Sequence, residues 1–186
     1  MNILECEIEE LLFNNLKDKD LLRDRGFHHF EQHYYLHPNF GSYGIPDIVG
    51  VTVYENKDFD CKSLSVTIYE LKKELINVDT FLQAVRYARA IDRMIEKNDG
   101  FNVSEVDTKI VLIGKKVDLN SDFIYISDLF PKVHFLTYSI DISKGLLFKN
   151  HFGYSITNEK PFDLEKYISD FNSGILTADE KQNIPF

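Results

Sequence analysis

Hydrophobic residues recur at helical spacing in two stretches of the chain. Over residues 4–16, leucines and an isoleucine alternate with glutamates, which is typical of an amphipathic helix with acids near the positive end of its dipole. A second stretch covers Phe81 to about Lys97. Asp79 or Thr80 is placed to cap its start, and Asn98-Asp99-Gly100 to end it. Its apolar stripe consists of Leu82, Val85, Ala88, Ile91 and Ile95. The spacing therefore predicts a helix at the start of the chain and a long helix near its middle.

Three consecutive segments before the long helix have the composition or the alternation of β-strands. They are Phe27–Leu36, Ile48–Tyr54 and Leu64–Tyr69, separated by turn residues. In the third segment the even positions Leu64, Val66 and Ile68 share one face, and the same parity places Glu70 and Lys72 on that side. The sequence therefore predicts three strands, the last of which ends in charged residues.

After the long helix the chain contains strands that are apolar throughout. Lys109–Gly114 and Val133–Tyr138 are short runs of this kind, which favour burial on both faces of a sheet, and Phe123–Phe130 between them is expected to be a short helix. A last helix is expected over Asp163–Phe171, before a polar tail after Ser173. This order of elements predicts an α/β fold with a mixed β-sheet flanked by helices.

Length and charge limit the class of protein. A chain of 186 residues suits one domain, which we expect over 1–186 with a core over about 1–140 and an extension over 141–186. Its 21 basic and 30 acidic residues give a net charge of −9, which excludes a protein that coats nucleic acid by bulk charge. Cys6 and Cys61 form no metal-ligand ladder. Acidic residues near the N-terminus and short apolar runs argue against a signal peptide or a membrane span, so we expect a cytoplasmic protein.

Charged residues lie at the ends of the two best strands. Asp47 opens the second strand after Pro46, and Glu70 and Lys72 close the third. If these strands pair as a hairpin, both carboxylates and the amine meet at one end of the sheet. Two carboxylates suit Mg²⁺, and a neighbouring lysine can assist an attacking water or stabilise charge on a phosphate. Such charges are also common at solvated strand ends, but here they end an apolar strand face, which favours metal-assisted hydrolysis of a phosphodiester.

Three motifs follow one another along the predicted core. They are Gly44-Ile45-Pro46-Asp47, Glu70-Leu71-Lys72 and Gln83-Ala84-Val85-Arg86-Tyr87. In this order they resemble the PD-(D/E)xK nuclease superfamily, specifically its RecB-like branch, in which a Gln-x-x-x-Tyr motif lies on the helix after the catalytic strand. Gln83 and Tyr87 are four residues apart on the predicted helix and therefore share a face. The resemblance covers about residues 1–140 and implies a restriction-endonuclease-like αβββαβ core.

The resemblance implies an Mg²⁺-dependent endonuclease that hydrolyses DNA, with Mn²⁺ as a substitute metal and RNA as the alternative substrate. Asp47 and Glu70 would be metal ligands together with the backbone carbonyl of Leu71, and Lys72 would be the catalytic lysine. Gln83 and Tyr87 would support the site or contact the substrate.

Many members of this superfamily also have a glutamate on the first helix that points at the metal. Glu5 is our first choice for this residue, because Ile8 and Leu12 follow it as core anchors. Glu9, one turn along, is the alternative, and plain helix N-terminal charge explains both residues equally well.

The negative net charge raises the question of how this protein would bind DNA. A nuclease with this charge has to concentrate its positive groups locally, form a homodimer or rely on a protein partner. A basic cluster on the long helix consists of Arg86, Arg89 and Arg93, with Lys72 and Lys73 nearby, and its plain alternative is a solvated face balanced by Asp92 and Glu96. The second hypothesis is a non-catalytic subunit on the same fold that binds nucleic acid or a protein.

Four histidines, His28, His29, His33 and His37, also suggest metal binding. In a strand, residues four apart lie about 13 Å from each other and cannot share one ion. We therefore expect these histidines to line a surface.

Overall fold

The computed structural model of the chain describes residues 4–56, 61–97, 103–118, 123, 126 and 130–151. All of them lie in the first of two units, Met1–Gly153 and Tyr154–Phe186. The helix expected over Asp163–Phe171 and the tail after Ser173 lie outside the described residues, as does most of the helix expected over Phe123–Phe130. The single domain over 1–186 stays a prediction.

The described part of the chain is built around a mixed sheet. In chain order the strands are β1 (His33–Leu36), β2 (Ile48–Asn56), β3 (Cys61–Leu71), β4 (Leu75–Ile76), β5 (Glu105–Gly114), β6 (Lys116–Val117), β7 (Val133–Asp141) and β8 (Gly145–His151). Six of them form one sheet in the order β1-β2-β3-β5-β7-β8, and β4 pairs with β6. The central strands β3, β5 and β7 are parallel, whereas β1-β2, β2-β3 and β7-β8 are antiparallel. Strand β8 lies within the strand/helix extension expected over 141–186, whereas the short strands β4 and β6 have no counterpart among the predicted elements.

Helices cover both faces of the sheet. The helices are α1 (Glu5–Asn15), α2 (Lys19–Asp24) and α3 (Val78–Glu96). Alternate residues of the strands contribute to two separate cores, since Tyr69 and Leu71 pack with α1 while Ile68 packs with α3. The α/β fold with a mixed sheet flanked by helices is therefore confirmed. No helix among the described residues is long and apolar enough to cross a membrane.

The apolar stripe that we expected on the long helix is partly wrong. Helix α3 begins at Val78 with Asn77 as its cap, because the Asn77 side chain accepts a hydrogen bond from the Thr80 N–H at 3.1 Å. Leu82 and Val85 are exposed, and the face toward the sheet carries Thr80, Ala84, Tyr87, Ala90 and Ile91 instead. Ala84, Ala90 and Ile91 therefore face the sheet, and Leu82 and Val85 lie on the outer side of the helix.

The first predicted strand is shorter than expected. Only His33–Leu36 forms β1, while the preceding residues cross the sheet on the α1 side. Glu31 is buried there, and its carboxylate accepts hydrogen bonds from the hydroxyls of Thr52, Ser65 and Thr67 on β2 and β3. Gly50 leaves the space for it, because a Cβ at that position would lie 2.7 Å from the Glu31 Cγ. These side-chain bonds take the place of strand pairing.

Candidate functional site

The register of the β2-β3 hairpin brings Asp47 and Glu70 together. Ile48, the first residue of β2, pairs with Tyr69, so Asp47 lies across from Glu70 at the same end of the sheet. The Asp47 carboxylate accepts a hydrogen bond from the Leu71 N–H, with 2.6 Å between Oδ2 and N. Two carboxylates from adjacent strands are thereby fixed at one rim, as the hairpin predicts.

Lys72 extends over this rim and contacts two carboxylates. Its Nζ lies 2.8 Å from Glu70 Oε1 and 3.7 Å from Glu5 Oε1. The second oxygen of Glu5 accepts a hydrogen bond from the Lys73 N–H at 2.7 Å. Glu70 itself is completely buried, and its other oxygen, Oε2, has no hydrogen-bond partner among the described residues. A buried carboxylate oxygen without a partner is costly, and it marks a position where a cation or a water would bind favourably.

Burial makes the charged state of these carboxylates unfavourable. It raises the pKa of Glu70 to about 8 and that of Asp47 to about 6, and in each case neighbouring carboxylates add to the effect. Burial alone would lower the pKa of Lys72, but the hydrogen bond to Glu70 and the nearby acids outweigh it, so the pKa is raised. The amine is therefore charged at neutral pH, and the rim holds more carboxyl groups than the single charge of Lys72 can balance when they ionise.

Glu9 reaches the same rim from the other side. It is buried, and its Oε2 lies 2.6 Å from His37 Nε2. The His37 N–H donates to the backbone oxygen of Asp47 at 2.9 Å, and the charge of Glu9 contributes to the raised pKa of Asp47. Glu5 thus faces Lys72 and Glu9 faces Asp47, so both of the α1 glutamates that we weighed lie at the site.

His37 is a neighbour of the site that the sequence did not single out individually. It has a left-handed backbone, with φ of 49°, which is uncommon for a residue other than glycine. This conformation lets one residue bond Asp47 through its backbone and Glu9 through its ring. A histidine in an aromatic segment gives no sequence signal for such a role.

Gln83 and Tyr87 hydrogen-bond to each other beside the loop that precedes Asp47. Gln83 Nε2 donates to Tyr87 Oη at 3.1 Å, and the buried Tyr87 ring packs edge-on against Phe40. Gly44, with φ of 106°, lies under this ring, since a Cβ there would be 3.1 Å from Tyr87 Cε1. The pair is therefore placed to position the Gly44–Asp47 loop, which is a supporting role.

The remaining charged and histidine side chains have other partners. Arg89 pairs with Asp92 and Glu96, in agreement with a balanced helix face. The His29 ring packs on His134, with 4.6 Å between the ring centres, and takes no part in the contact of His37 with Glu9. Within the described ranges, no group of three or more His, Cys, Asp or Glu side chains is arranged to hold a metal ion.

Comparisons with known proteins returned no relative. No family model matches the chain, no curated protein matches it, and no solved structure matches its fold. Any assignment of function therefore depends on the motifs and on the geometry of the rim.

Proposed function

We propose that this protein is a metal-dependent nuclease of the PD-(D/E)xK type, which hydrolyses DNA phosphodiester bonds at the rim formed by β2 and β3. The observation that carries the proposal is the meeting of Asp47, Glu70 and Lys72 at one strand end, where Glu70 Oε2 is buried and finds no partner in the described part of the chain. The chain order α1, β1, β2, β3, α3, β5 agrees with a restriction-endonuclease-like core, which is part of the same proposal.

The donor set at the rim fits a hard divalent cation. Asp47 and Glu70 would hold Mg²⁺, or Mn²⁺ in its place, with the Leu71 backbone carbonyl as a further oxygen ligand. One or two carboxylates with several waters are a usual coordination for Mg²⁺, so this pair of acids is sufficient for the metal. When bound, the ion would supply Lewis-acid polarisation of the phosphate and a more acidic water.

Lys72 is suited to stabilise the charge that develops on the phosphate. Its side chain is partly exposed at 26%, so the amine can reach a ligand at the rim while Glu70 and Glu5 hold it in place. Because the amine is charged at neutral pH, it can donate hydrogen bonds to phosphoryl oxygens, and it has no free electron pair with which to act as a base. Tyr87 and Gln83 would keep Asp47 in register by fixing its loop.

Two variants test the proposal by separating metal binding from catalysis. Asp47→Asn should lose Mg²⁺ binding in calorimetry and lose cleavage of plasmid or branched DNA. Lys72→Ala should keep metal binding and lower cleavage by about a hundredfold or more, which is typical when a group that stabilises transition-state charge is removed. Asp107→Asn and Lys132→Ala are matched controls, since this ion pair of 2.7 Å lies at the opposite end of the parallel strands.

The result also distinguishes the two hypotheses for this fold. Unchanged cleavage in both site variants would remove the nuclease assignment. A folded wild-type protein that binds neither Mg²⁺ nor Mn²⁺ would favour the non-catalytic subunit.

A further inference from the structure

A groove opens beside the rim, where β5 and β7 end. It has a volume of about 570 Å³ and is lined by Lys115, Lys116, Tyr138, Ser139, Ile140 and Ile142. We call these six residues the lysine–isoleucine shelf. Ile142 is completely exposed at the β7-β8 turn and Ile140 is 39% exposed, so the shelf presents apolar side chains to solvent next to two amines.

The shelf is joined to the rim by direct contacts. Tyr138 Oη donates to the backbone oxygen of Lys73 at 2.7 Å, and Lys115 Nζ lies 2.7 Å from Glu74 Oε1. The short β4-β6 pair adds backbone bonds between the same two segments, including Lys116 N to the Glu74 oxygen at 2.9 Å. The shelf is therefore held next to Lys73 and Glu74, the two residues that follow Lys72 in the chain.

The amines and aliphatic side chains of the shelf indicate which class of ligand it would bind. Lysines beside a groove attract phosphates, which matters in a protein with a net charge of −9 because most of its surface repels them. Isoleucine side chains contact the faces of bases when a base is unstacked, as apolar wedges do in nucleic-acid complexes. In an intact duplex an isoleucine reaches a base face only by unstacking a base step, which costs a few kcal/mol, whereas in a single strand the face is already accessible. The pairing of amines and aliphatic side chains therefore favours a single strand.

We infer that the lysine–isoleucine shelf binds a single-stranded DNA segment that flanks the bond placed at the rim. Lys115 and Lys116 hold its phosphates, and Ile142 with Ile140 packs against an exposed base. This inference rests on the proposed nuclease function, since it places the rest of the substrate relative to the same rim.

Binding can be measured separately from cleavage. Full-length protein in EDTA is titrated with a fluorescein-labelled 20-nucleotide single strand and with a duplex of the same sequence, by anisotropy at several salt concentrations. Lys115→Gln combined with Lys116→Gln should lower the slope of log affinity against log salt by at least about 0.7, the value for one phosphate that a lysine no longer neutralises, and by less than about 1.4, because Lys115 already pairs with Glu74. Ile142→Ser should weaken single-strand binding by about threefold to tenfold, in the range expected when one base is no longer packed against the protein, without changing that slope.

Matched controls lie elsewhere on the surface. Lys132→Gln removes an exposed lysine at the opposite end of the parallel strands, and Leu82→Ser removes an exposed apolar residue of α3, so both should bind like wild type. Affinities of the shelf variants equal to those of the controls would overturn the inference. Equal weakening of duplex and single strand, or a loss of self-association in Ile142→Ser by sedimentation, would also overturn it.

Failure of the shelf and failure of the nuclease assignment remain distinguishable. If the shelf variants bind single-stranded DNA normally while Asp47→Asn abolishes cleavage, the inference about the shelf is wrong and the nuclease assignment stands. If the wild-type protein does not cleave DNA but the shelf variants bind single-stranded DNA less well than it does, the shelf is a binding surface and the nuclease assignment fails.

Discussion

The substitution Glu70→Gln tests the electrostatics of the rim in the metal-free protein. Burial, together with repulsion from Asp47, raises the pKa of Glu70 from 4.5 to about 8. Since one pKa unit corresponds to about 1.4 kcal/mol, this shift represents about 5 kcal/mol of unfavourable free energy once Glu70 is ionised. Glutamine has nearly the same volume and no charge, so it should remove most of that cost.

Because the pKa of Glu70 is raised in the folded protein, the effect of Glu70→Gln on stability depends on pH. A group whose pKa is raised in the folded state stabilises the fold fully below its unfolded pKa of 4.5, and this stabilisation is lost as the pH rises through about 8. Glu70→Gln should therefore leave the free energy of unfolding almost unchanged at pH 4.5. At pH 9 it should increase that free energy by about 3 to 5 kcal/mol, which makes a catalytic substitution a stabilising one.

Urea denaturation in EDTA at pH 4.5, 7 and 9 measures this difference directly. Asp47→Asn should stabilise in the same direction, because it removes the other member of the pair, and the double variant should gain less than the sum of the two. Glu74→Gln is the control, since Lys115 lowers the pKa of this exposed carboxyl and its removal should not stabilise the fold.

Mg²⁺ provides an independent check on the same protein. It should raise the stability of the wild type at pH 9 by binding the folded state, and it should do so much less in either carboxylate variant. If Glu70→Gln destabilises the protein equally at pH 4.5 and pH 9, the two carboxylates do not repel each other at this rim and the electrostatic reasoning is refuted.

Two further predictions concern the polar contacts on the α1 side of the sheet. Burial lowers the pKa of His29 from 6.5 to about 4, so its contribution to stability is complete above pH 6.5 and is lost as the pH falls toward 4. His29→Gln should therefore remove about 3 kcal/mol of the loss in unfolding free energy between pH 7 and pH 4, measured by urea denaturation, and an unchanged pH profile would contradict this. Gly50→Ala should cost about 1 to 3 kcal/mol in thermal denaturation, because the added methyl would lie 2.7 Å from Glu31 Cγ, and Gly41→Ala, with open space around it, reports the cost of a strained backbone alone.

The parts of the fold that follow from local periodicity were predictable. The alternation in β3 places Leu64, Val66 and Ile68 on the α3 side, and this parity is what the structure has. The rim ends of β2 and β3 were also readable, because turn residues and charges mark them. Their hairpin ends were not, since β2 continues to Asn56 and β3 begins at Cys61, beyond the predicted bounds at Tyr54 and Leu64. Position along a strand is a local property, so once β2 and β3 pair as the expected hairpin, Asp47 and Glu70 meet at one rim.

Features that depend on distant partners were not predictable in this way. The segment before β1 looks like a strand by composition, but Glu31 bonds Thr52 and Thr67, which lie 21 and 36 positions further along the chain. The inward face of α3 likewise depends on which side chains pack against the sheet, and a pattern of apolar residues cannot distinguish that face from Leu82 and Val85. The conformation of the segment before β1 and the inward face of α3 both depend on side-chain contacts between distant parts of the chain. The spacing of apolar residues along the sequence does not reveal such contacts.

The positions of Glu5 and Glu9 show why the sequence left the choice between them open. Residues four apart on a helix lie on one face about one turn, or roughly 6 Å, from each other, which is comparable to the width of a rim built from two adjacent strands. Glu5 therefore reaches Lys72 while Glu9 reaches the side of Asp47.

The two glutamates add to the charge that the strands already carry. With Asp47 and Glu70, they bring four carboxyl groups to the rim, of which Glu70, Asp47 and Glu5 interact with Lys72, and the neighbouring acids raise the pKa values of Asp47 and Glu70. Each of these acids has a partner, but the Glu70 Oε2 atom has none among the described residues, and an unpartnered buried oxygen costs folding free energy. A divalent cation bound there, as we propose, would offset that cost. The excess of carboxyl groups also means that DNA would have to be held by amines outside the rim, such as those of the shelf.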